Sequence, residues 1–412
     1  MPTSQEPELI SREPAAASVR NAQLRSAKPF LIVAVGFLLY VQAMVIVLGV
    51  RPGIHGLSDF RQLYTAGYMV RTGDGHQLYD YARTDQLQNE LAGTEGSALP
   101  FNHLAIEALL FAPLSLFSFR VAYCLMLLLN LGLLVSCFLM LRRYLEPLRS
   151  WWSPLPACLF GCFLPFGVAL VQGQDSILLT LLFSAGTLFL AQKRDAMAGL
   201  LLACALFKFQ FVIPVIVLFC AWKRWKLVYG FLAGASIVAI ISVLVAGPQS
   251  VVAYVRYLFN MSISLSAAAQ VRYGVRPAAM PNLRGAISVL FMPLAGQHSV
   301  QVITIVASIL VMAWASRAQA SLAVAVVTAV LVSYHCLYHD LSLMIVPLVL
   351  TIRANAMREW VWPAAAFAGI GLAVAWDLPR WTISLLILAF LAFLVRGGAT
   401  PVEAVRPSPA QT

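Results

Sequence analysis

Residues 30–61 read FLIVAVGFLLYVQAMVIVLGVRPGIHGLSDFR, and this stretch decides the fold expected for the whole chain. Its first part, Phe30–Val50, has no charged residue and is long enough to cross a bilayer, which takes about 20 apolar residues in a helix. Asp59 follows shortly after this span. Because desolvating a carboxylate at a membrane boundary is costly, an acid at such a position usually has a function. The stretch therefore predicts a membrane helix that brings a functional acid to one face of the membrane.

The composition of the chain extends this prediction to a polytopic membrane protein. Of the 412 residues, 60% are hydrophobic and only 11% are charged, with a mean hydropathy of +0.82. These values exclude an ordinary soluble protein and favour an all-α bundle of many membrane helices. The net charge of +11 comes largely from short Lys and Arg clusters between apolar runs, which is typical of cytoplasmic loops on anionic lipid. We therefore expect membrane lipids, and no nucleic acid, as partners.

The cysteines and the two ends of the chain complete the expected domain organisation. All seven cysteines fall within or at the ends of apolar runs, so they support neither a disulfide framework nor a zinc site. Residues 1–28 are polar and rich in Pro, Ala and Arg, and we expect a disordered cytoplasmic N-terminus before an uncleaved signal anchor. A single transmembrane domain over 29–396 and a disordered cytoplasmic tail over 397–412 follow.

The positive-inside rule predicts about twelve crossings with both termini in the cytoplasm, one pair of crossings being open. Span 29–50 is followed by an outer loop over 51–118, and a second span near 119–141 returns to Arg142 and Arg143. The piece 286–294 is expected to be re-entrant. The other predicted spans are 155–171, 176–191, 227–247, 299–315, 321–336, 341–352, 361–376 and 381–395, besides the two limbs of a hairpin.

The hairpin is predicted for residues 196–222, which are apolar except at Lys208 and its neighbour Gln210. Basic clusters flank the segment on both sides, so two crossings keep both clusters in the cytoplasm. Each limb then has about 12–14 residues, or roughly 18–21 Å of helix, which is too short for an ordinary bilayer. We expect a hairpin covered by protein, with Lys208 near a tip that lines a cavity.

This threading brings many polar side chains to one outer face and predicts a single outward-facing cavity that contains acids and bases. The outer loop also contains the turn signal Gly73–Gly75 and, at 104–114, an apolar run too short to span, which indicates short amphipathic helices at the interface. The candidate site residues are Asp59, Arg61, Tyr64, His103, Gln174, Asp175, Lys208, Arg272, Arg276, Arg284, His335, His339 and Asp340.

The outer loop resembles that of a known enzyme family. Asp-Phe-Arg-x-x-Tyr-x-x-Gly at 59–67 and Gly-x-x-x-x-x-Tyr-Asp at 73–80 resemble the first outer loop of the glycosyltransferase 87 family, the DUF2029-type enzymes that include mycobacterial phosphoinositol mannosyltransferases. Further matching blocks follow in order through Gly173-Gln174-Asp175, Lys208 and Pro281-Asn282-Leu283, so the resemblance covers about residues 30–395. Relatives commonly have Tyr-Pro-Pro where this chain has Asn102-His103-Leu104, which puts the identity of the acceptor or donor in doubt.

The resemblance implies a GT-C-like fold and inverting transfer of a hexose, such as mannose, from a polyprenyl phosphate to an extracytoplasmic lipid or glycan. It also implies that Asp59, at the motif's acidic position, is the general base. The departing phosphate needs cationic donors, for which we select Lys208 first and Arg272, Arg276 and Arg284 as supports. The remaining candidates would support the base or the acceptor. No Asp-x-Asp motif occurs in the chain, so we expect no divalent metal and no cofactor.

Simpler interpretations of the same residues stay open at this point. Asp59 could cap a helix, Lys208 could reach a lipid headgroup or pair with Asp175, and His335 and His339 have a spacing that could bind metal. The alternative functions are a transporter or flippase of a lipid-linked sugar, for which broken helices are also typical, and an accessory subunit without activity. The expected location is the plasma or inner membrane, with the site facing away from the cytoplasm.

Overall fold

The computed structural model describes residues 12–94, 97–263, 275–354 and 360–398, and all regular secondary structure in these ranges is helical. The α-helices are α1 Arg12–Ile54, α2 Phe60–Thr72, α3 Tyr81–Ala92, α4 Ala105–Phe111, α5 Phe119–Leu141, α6 Glu146–Arg149, α7 Leu155–Gly161, α8 Leu164–Gln172, α9 Ser176–Ala191, α10 Asp195–Ala203, α11 Phe209–Ala221, α12 Trp225–Ala246, α13 Pro248–Ile263, α14 Leu283–Ala315, α15 Leu322–Val332, α16 Ile345–Ala354, α17 Val361–Ala375 and α18 Trp381–Phe393.

Several helical runs are long and apolar enough to cross a membrane, as expected of a multi-pass protein. Five runs meet this condition, and a sixth does if α7 and α8, which meet at a bend of 47°, count as one span. The all-helical fold is therefore confirmed, but the predicted number of about twelve crossings is not. The five long runs are Lys28–Ile54, Phe119–Arg149, Asp195–Ala221, Trp225–Ala246 and Leu283–Ala315.

The shortfall has a physical reason: several apolar helices are short because they end at buried polar residues. α9 begins directly after Asp175, and α15 ends shortly before His335. A 3₁₀ turn over Tyr338–Met344 contains Asp340 and leads into α16. Threading by charge alone takes each of these pieces as a crossing, although each helix is shorter than the roughly 20 residues that span a bilayer.

Residues 195–221 fold back on themselves, although they count as one run by length. The guanidinium of Arg224 donates two hydrogen bonds of 2.9 Å to the carboxylate of Asp195. A straight helix of 27 residues would hold its ends about 40 Å apart. α10 and α11 are therefore the limbs of a hairpin, joined by a 3₁₀ turn over Cys204–Lys208. This confirms the predicted hairpin with Lys208 at its tip.

Glycines allow the first limb of the hairpin to lie directly against α12. A Cβ at Gly199 would overlap the carbonyl oxygen of Leu227, and one at Gly230 would overlap that of Ala196. Gly230 on α12 meets Ala196 near the start of α10, and Gly234, one turn later, meets Ala203 at the end of α10, so α10 and α12 run parallel. The close approach fixes the height of the hairpin tip relative to α12.

The first outer loop forms short helices, as predicted, but α2 is buried rather than spread on the interface. The ring of Phe60 lies 5.8 Å from that of Phe119 and 6.0 Å from that of Tyr123, both on α5. These contacts belong to a second apolar core, separate from the larger core of the membrane helices. The outer loop is thus a packed layer on the bundle, and it holds Asp59 at a fixed place.

The N-terminal segment 1–28, for which disorder is expected, is described from residue 12 onward. α1 already begins at Arg12, and residues 1–11 lie outside the described range. The segment 12–28 contains three consecutive alanines, three Arg, one Leu and one Gln, all residues of high helix propensity. The predicted tail is described only as far as a π-helical turn over Leu394–Gly398.

The substitution Gly199→Ala tests the packing of the hairpin. We expect a loss of about 1–3 kcal/mol in the free energy of unfolding, because the new methyl group must separate α10 from α12. Thermal unfolding in detergent measures this as a lower midpoint. Gly132→Ala is the control, since a methyl group at Gly132 in α5 would meet no atom within 4 Å and should slightly raise the helix propensity. Equal midpoints for Gly199→Ala and wild type would contradict the close approach.

Candidate active site

Asp59 lies at the start of α2, and its carboxylate is bound by a residue outside this helix. Its side chain makes no capping hydrogen bond to α2. Instead, its Oδ2 accepts a hydrogen bond of 2.8 Å from Nε2 of Gln174, and its backbone N–H donates to Oε1 of Gln172 at 3.1 Å. The side chain is 25% exposed. The structure therefore favours a presented carboxylate over a helix cap.

The turn between α8 and α9 can reach Asp59 because it contains Gly173. Gly173 adopts φ +60°, and a Cβ there would come within 2.7 Å of the Cβ of Phe60. A larger residue would suffer both the strain of the left-handed conformation and this contact. Gly173 thus lets Gln174 approach the start of α2.

Lys208, at the hairpin tip, lies between two carboxylates. Its Nζ is 2.6 Å from Oδ1 of Asp340 and 3.0 Å from Oδ1 of Asp175, and it donates to Oγ of Ser176 at 3.0 Å. Oε1 of Gln174 is also 3.5 Å away, and the Lys208 side chain is only 3% exposed. An ammonium has three donors, and the oxygens of Asp340, Ser176 and Gln174 already accept hydrogen bonds from them. In this arrangement Lys208 has no donor left for a phosphate.

His103 and Glu107 extend the cluster on the other side of Asp175. Nδ1 of His103 is 2.6 Å from Oε2 of Glu107 and 3.8 Å from Oδ2 of Asp175. Glu107 is not among the site residues predicted from the sequence, although its i, i+4 spacing from His103 would have placed both on one helical face. Potential ligand atoms of these three residues lie within 4.8 Å of one another, a set that could hold a cation. The ammonium of Lys208 already supplies positive charge beside them.

Burial and neighbouring charge set different protonation states for these groups. Desolvation lowers the pKa of His103 to about 4 and raises the pKa of Glu107 well above its usual range. Burial is the largest single influence on Asp175 and acts to raise its pKa, but the ammonium of Lys208, the hydrogen bond with Glu107 and His103 together hold the pKa below its usual range. At neutral pH we expect a neutral His103, a protonated Glu107 and an ionised Asp175.

Two further histidines close the cluster around Asp59. His339 lies between the two acids, with Nδ1 3.8 Å from Oδ2 of Asp59 and Nε2 3.5 Å from Oδ1 of Asp340. His335 is buried, and its Nδ1 has no hydrogen-bond partner among the residues that the structure describes. Burial lowers the pKa of His335 to about 3, so its ring is neutral at physiological pH. The imidazoles of His335 and His339 therefore lie near Asp340, and that of His339 also lies near Asp59.

The structure places the other predicted site residues outside this cluster. Arg61 donates to the carbonyl oxygen of Ser97 at 2.7 Å, and the hydroxyl of Tyr64 donates to that of Phe117 at 2.7 Å. Arg284 donates to the carbonyl oxygen of Tyr334 at 2.7 Å, and Arg276 is exposed. Arg272 lies outside the described residues. Among the described cations expected at the phosphate, Lys208 alone contacts the acids of the cluster.

Comparison with known proteins identifies a family for most of this region. The family model described as glycosyltransferase family 87 matches residues 106–338, which is more than half of the chain. The match confirms the resemblance drawn from the motifs. It contains Asp175 and Lys208, whereas Asp59 lies before it and Asp340 just after it. No curated protein and no solved structure matches the chain.

A charge-balance experiment tests the role of Lys208 in the cluster. Lys208→Met should cost about 3–5 kcal/mol, because it leaves two buried carboxylates without their cation. Adding Asp340→Asn removes one of these charges and should restore part of the loss. Thermal unfolding of the single and double variants measures the coupling. Additive losses in the double variant would contradict a buried charge pair.

The substitution Glu107→Gln tests the protonation state of Glu107. A raised pKa means that the folded state binds more protons than the unfolded chain, so wild-type stability falls as the pH rises above the ordinary Glu pKa. Gln mimics the protonated acid without this dependence, so the variant should be the more stable protein at pH 7–8. Its advantage should grow by up to about 1.4 kcal/mol per pH unit until the raised pKa is reached. Parallel pH profiles for the unfolding midpoints of the two proteins would contradict a protonated Glu107.

Proposed function

The chain belongs to glycosyltransferase family 87, and we propose that it is an inverting membrane enzyme that transfers a hexose, such as mannose, from a polyprenyl-phosphate donor to an extracytoplasmic lipid or glycan acceptor. The observation that carries this proposal is the partly exposed carboxylate of Asp59. It is fixed by Gln174 beside a buried cluster of acids and histidines. An anchored, accessible carboxylate is what a general base requires.

The chemistry assigned to this site is a single displacement. The acceptor oxygen forms a bond to the anomeric carbon while the bond from that carbon to the donor phosphate oxygen breaks. Asp59 takes the proton of the acceptor hydroxyl, and the polyprenyl phosphate leaves with the bonding electrons. His339, 3.8 Å from the Asp59 carboxylate, is placed to orient it or to share the proton.

We assign Lys208 a positioning role in place of direct contact with the phosphate. Its ammonium faces Oε1 of Gln174 at 3.5 Å, and the amide nitrogen of the same side chain donates to Asp59 at 2.8 Å. Because the ammonium of Lys208 attracts the oxygen of the Gln174 amide, the nitrogen of that amide is turned toward Asp59. Lys208 thus orients the base through Gln174, and it holds Asp175 and Asp340 together.

The phosphate must then find its donors elsewhere in the cluster. His335 offers a neutral imidazole whose Nδ1 has no hydrogen-bond partner among the described residues, and His339 lies between Asp59 and Asp340. Arg284 lies at the start of α14, where it uses one guanidinium nitrogen on the carbonyl oxygen of Tyr334. We propose that these three side chains, with no divalent metal, stabilise the charge that develops on the leaving phosphate.

The distribution of buried charge favours a transferase over the alternative of a flippase. Transport by alternating access requires polar groups along a path between the two faces. The buried Asp, Glu, His, Lys and Arg side chains of the described residues instead gather where the first outer loop packs on the bundle. They are Arg61, His103, Glu107, Asp175, Lys208, Arg284, His335, His339 and Asp340.

The opposite end of the bundle has the features of a cytoplasmic face. Arg224 closes the base of the hairpin on Asp195, and Nε1 of Trp222 donates to the carbonyl oxygen of Ser316 at 3.0 Å. These contacts bring the basic loops at Lys193, Lys223 and Arg317 to one end. By the positive-inside rule we place that end in the cytoplasm and the site on the extracytoplasmic side of the plasma or inner membrane.

Asp59→Asn tests the proposed base. We expect transfer of labelled hexose from polyprenyl-phosphate hexoses to a membrane lipid extract to fall about 10²–10⁴-fold in kcat, because Asn cannot accept the proton. Donor binding should be unchanged, and addition of EDTA should leave the wild-type rate unaltered. Reconstituted protein in liposomes provides the assay.

The control for this test is Asp74→Asn, which removes an acid of the same outer loop that pairs with Arg83 at 2.9 Å, away from the cluster. It should retain wild-type transfer. Full activity in Asp59→Asn would remove Asp59 from the chemistry. Movement of labelled lipid across the bilayer without any product would support the flippase instead.

A further inference from the structure

A pocket lies next to the cluster, between the first outer loop and α13. Its volume is about 200 Å³, and it is partly open to the outside. The outer loop contributes Tyr79, Tyr81 and Phe101, and α13 contributes Arg256, Tyr257 and Asn260. None of these six residues belongs to the cluster around Asp59.

The lining of this pocket combines aromatic rings with hydrogen-bonding groups. The rings of Tyr79 and Phe101 are stacked with centroids 6.1 Å apart, and the ring of Tyr257 lies 6.4 Å from that of Tyr79. Arg256 and Asn260 add donors and an acceptor amide. A ligand with apolar C–H faces and a rim of hydroxyl groups matches such a lining, and this is the chemistry of a sugar ring.

Only one face of the helix α13 lines the pocket. Ala253, Arg256, Tyr257 and Asn260 follow the i, i+3, i+4, i+7 spacing of a single helical face. The other face contains exposed apolar side chains, including Phe259 at 63% exposure. In a membrane protein such a face suits lipid. The polar face of α13 is therefore directed at the pocket.

The pocket is connected to the candidate active site by one short segment, residues 100–103. Phe101 lines the pocket, while His103 belongs to the cluster, and their rings lie 5.5 Å apart. The hydroxyl of Tyr79 also donates to the carbonyl oxygen of His103 at 3.0 Å. A sugar in the pocket would thus sit beside the cluster without touching Asp59.

We propose that this pocket binds a non-reacting sugar unit of the acceptor, so that the enzyme recognises a glycan or glycolipid that already contains more than one sugar. The proposal rests on the transferase function argued above. Binding at a remote unit strengthens the ground state and the transition state equally, so it lowers KM without changing kcat. The pocket would then determine which acceptors are used, and Asp59 would determine the rate.

Tyr257→Ala and Asn260→Ala test the pocket kinetically, with Phe259→Ala on the lipid-facing side of α13 as the matched control. Acceptor glycolipids are separated by sugar number from a membrane extract. For acceptors with several sugars, loss of one ring should raise the acceptor KM about tenfold, while kcat and the donor KM stay unchanged. Acceptors with a single sugar and the control variant should show no change. An equal effect on short and long acceptors would overturn the proposal.

Direct binding separates the failure of this proposal from failure of the transferase function. Saturation-transfer NMR of the detergent-solubilised protein with soluble disaccharides of mannose, glucose and galactose requires no donor and no turnover. Signals for at least one disaccharide should appear with wild type, Asp59→Asn and Phe259→Ala, and should weaken with Tyr257→Ala. Absence of signals from wild type, or equal signals from Tyr257→Ala, would overturn the pocket assignment whether or not transfer is observed.

Discussion

The contact on which the rest of the structure depends is the buried ammonium of Lys208 between Asp175 and Asp340. Taking ions out of water costs several kcal/mol each, and two carboxylates share only one cation here. Hydrogen bonds offset part of the desolvation cost that this excess negative charge leaves. Oγ of Ser176 donates to Asp340 at 3.0 Å, and the backbone N–H of Leu337 donates to Asp340 at 2.9 Å. Such an arrangement is stable only if the hairpin tip, the start of α9 and the turn before α16 meet in one geometry. The ion cluster therefore fixes the relative positions of three chain segments that are distant in sequence.

The same cluster explains how a carboxylate at the membrane boundary can be both accessible and well placed. Gln174 connects the buried charges to Asp59, and Gly173 brings Gln174 within reach of α2. In the proposed reaction, the acceptor would meet a carboxylate that its neighbours already hold in place. Pre-organised polar groups in a site of low dielectric are the largest source of catalysis in many enzymes, because they need no rearrangement during the reaction.

Much of this arrangement could be predicted from the sequence because charges are rare in the chain. The basic clusters around 196–222 are sufficient to predict the hairpin, and helix ends place Asp59, Asp175, Lys208 and Asp340 at one level. The partners of individual side chains could not be predicted. Arg284 contacts a carbonyl oxygen rather than the acids, and from sequence alone Glu107 indicates an interfacial helix rather than a buried partner of His103. Side-chain direction at a helix end depends on local turns, such as the 3₁₀ segments here, that carry little sequence signal.

The shortness of several apolar helices and the buried polar cluster have the same physical origin. A helix that stops inside the membrane layer leaves backbone groups unpaired, and these are tolerated only where protein or a cavity satisfies them. Here Asn130 donates to the carbonyl oxygen of Gln174 at 2.9 Å, and Asn282 donates to that of Ser333 at 2.6 Å. Arg284 does the same for Tyr334. Polar side chains that satisfy helix ends and polar side chains that form the cluster therefore belong to one layer. Because threading by charge takes each short apolar helix as another crossing, the predicted number exceeds the five or six runs that are long enough to cross by themselves.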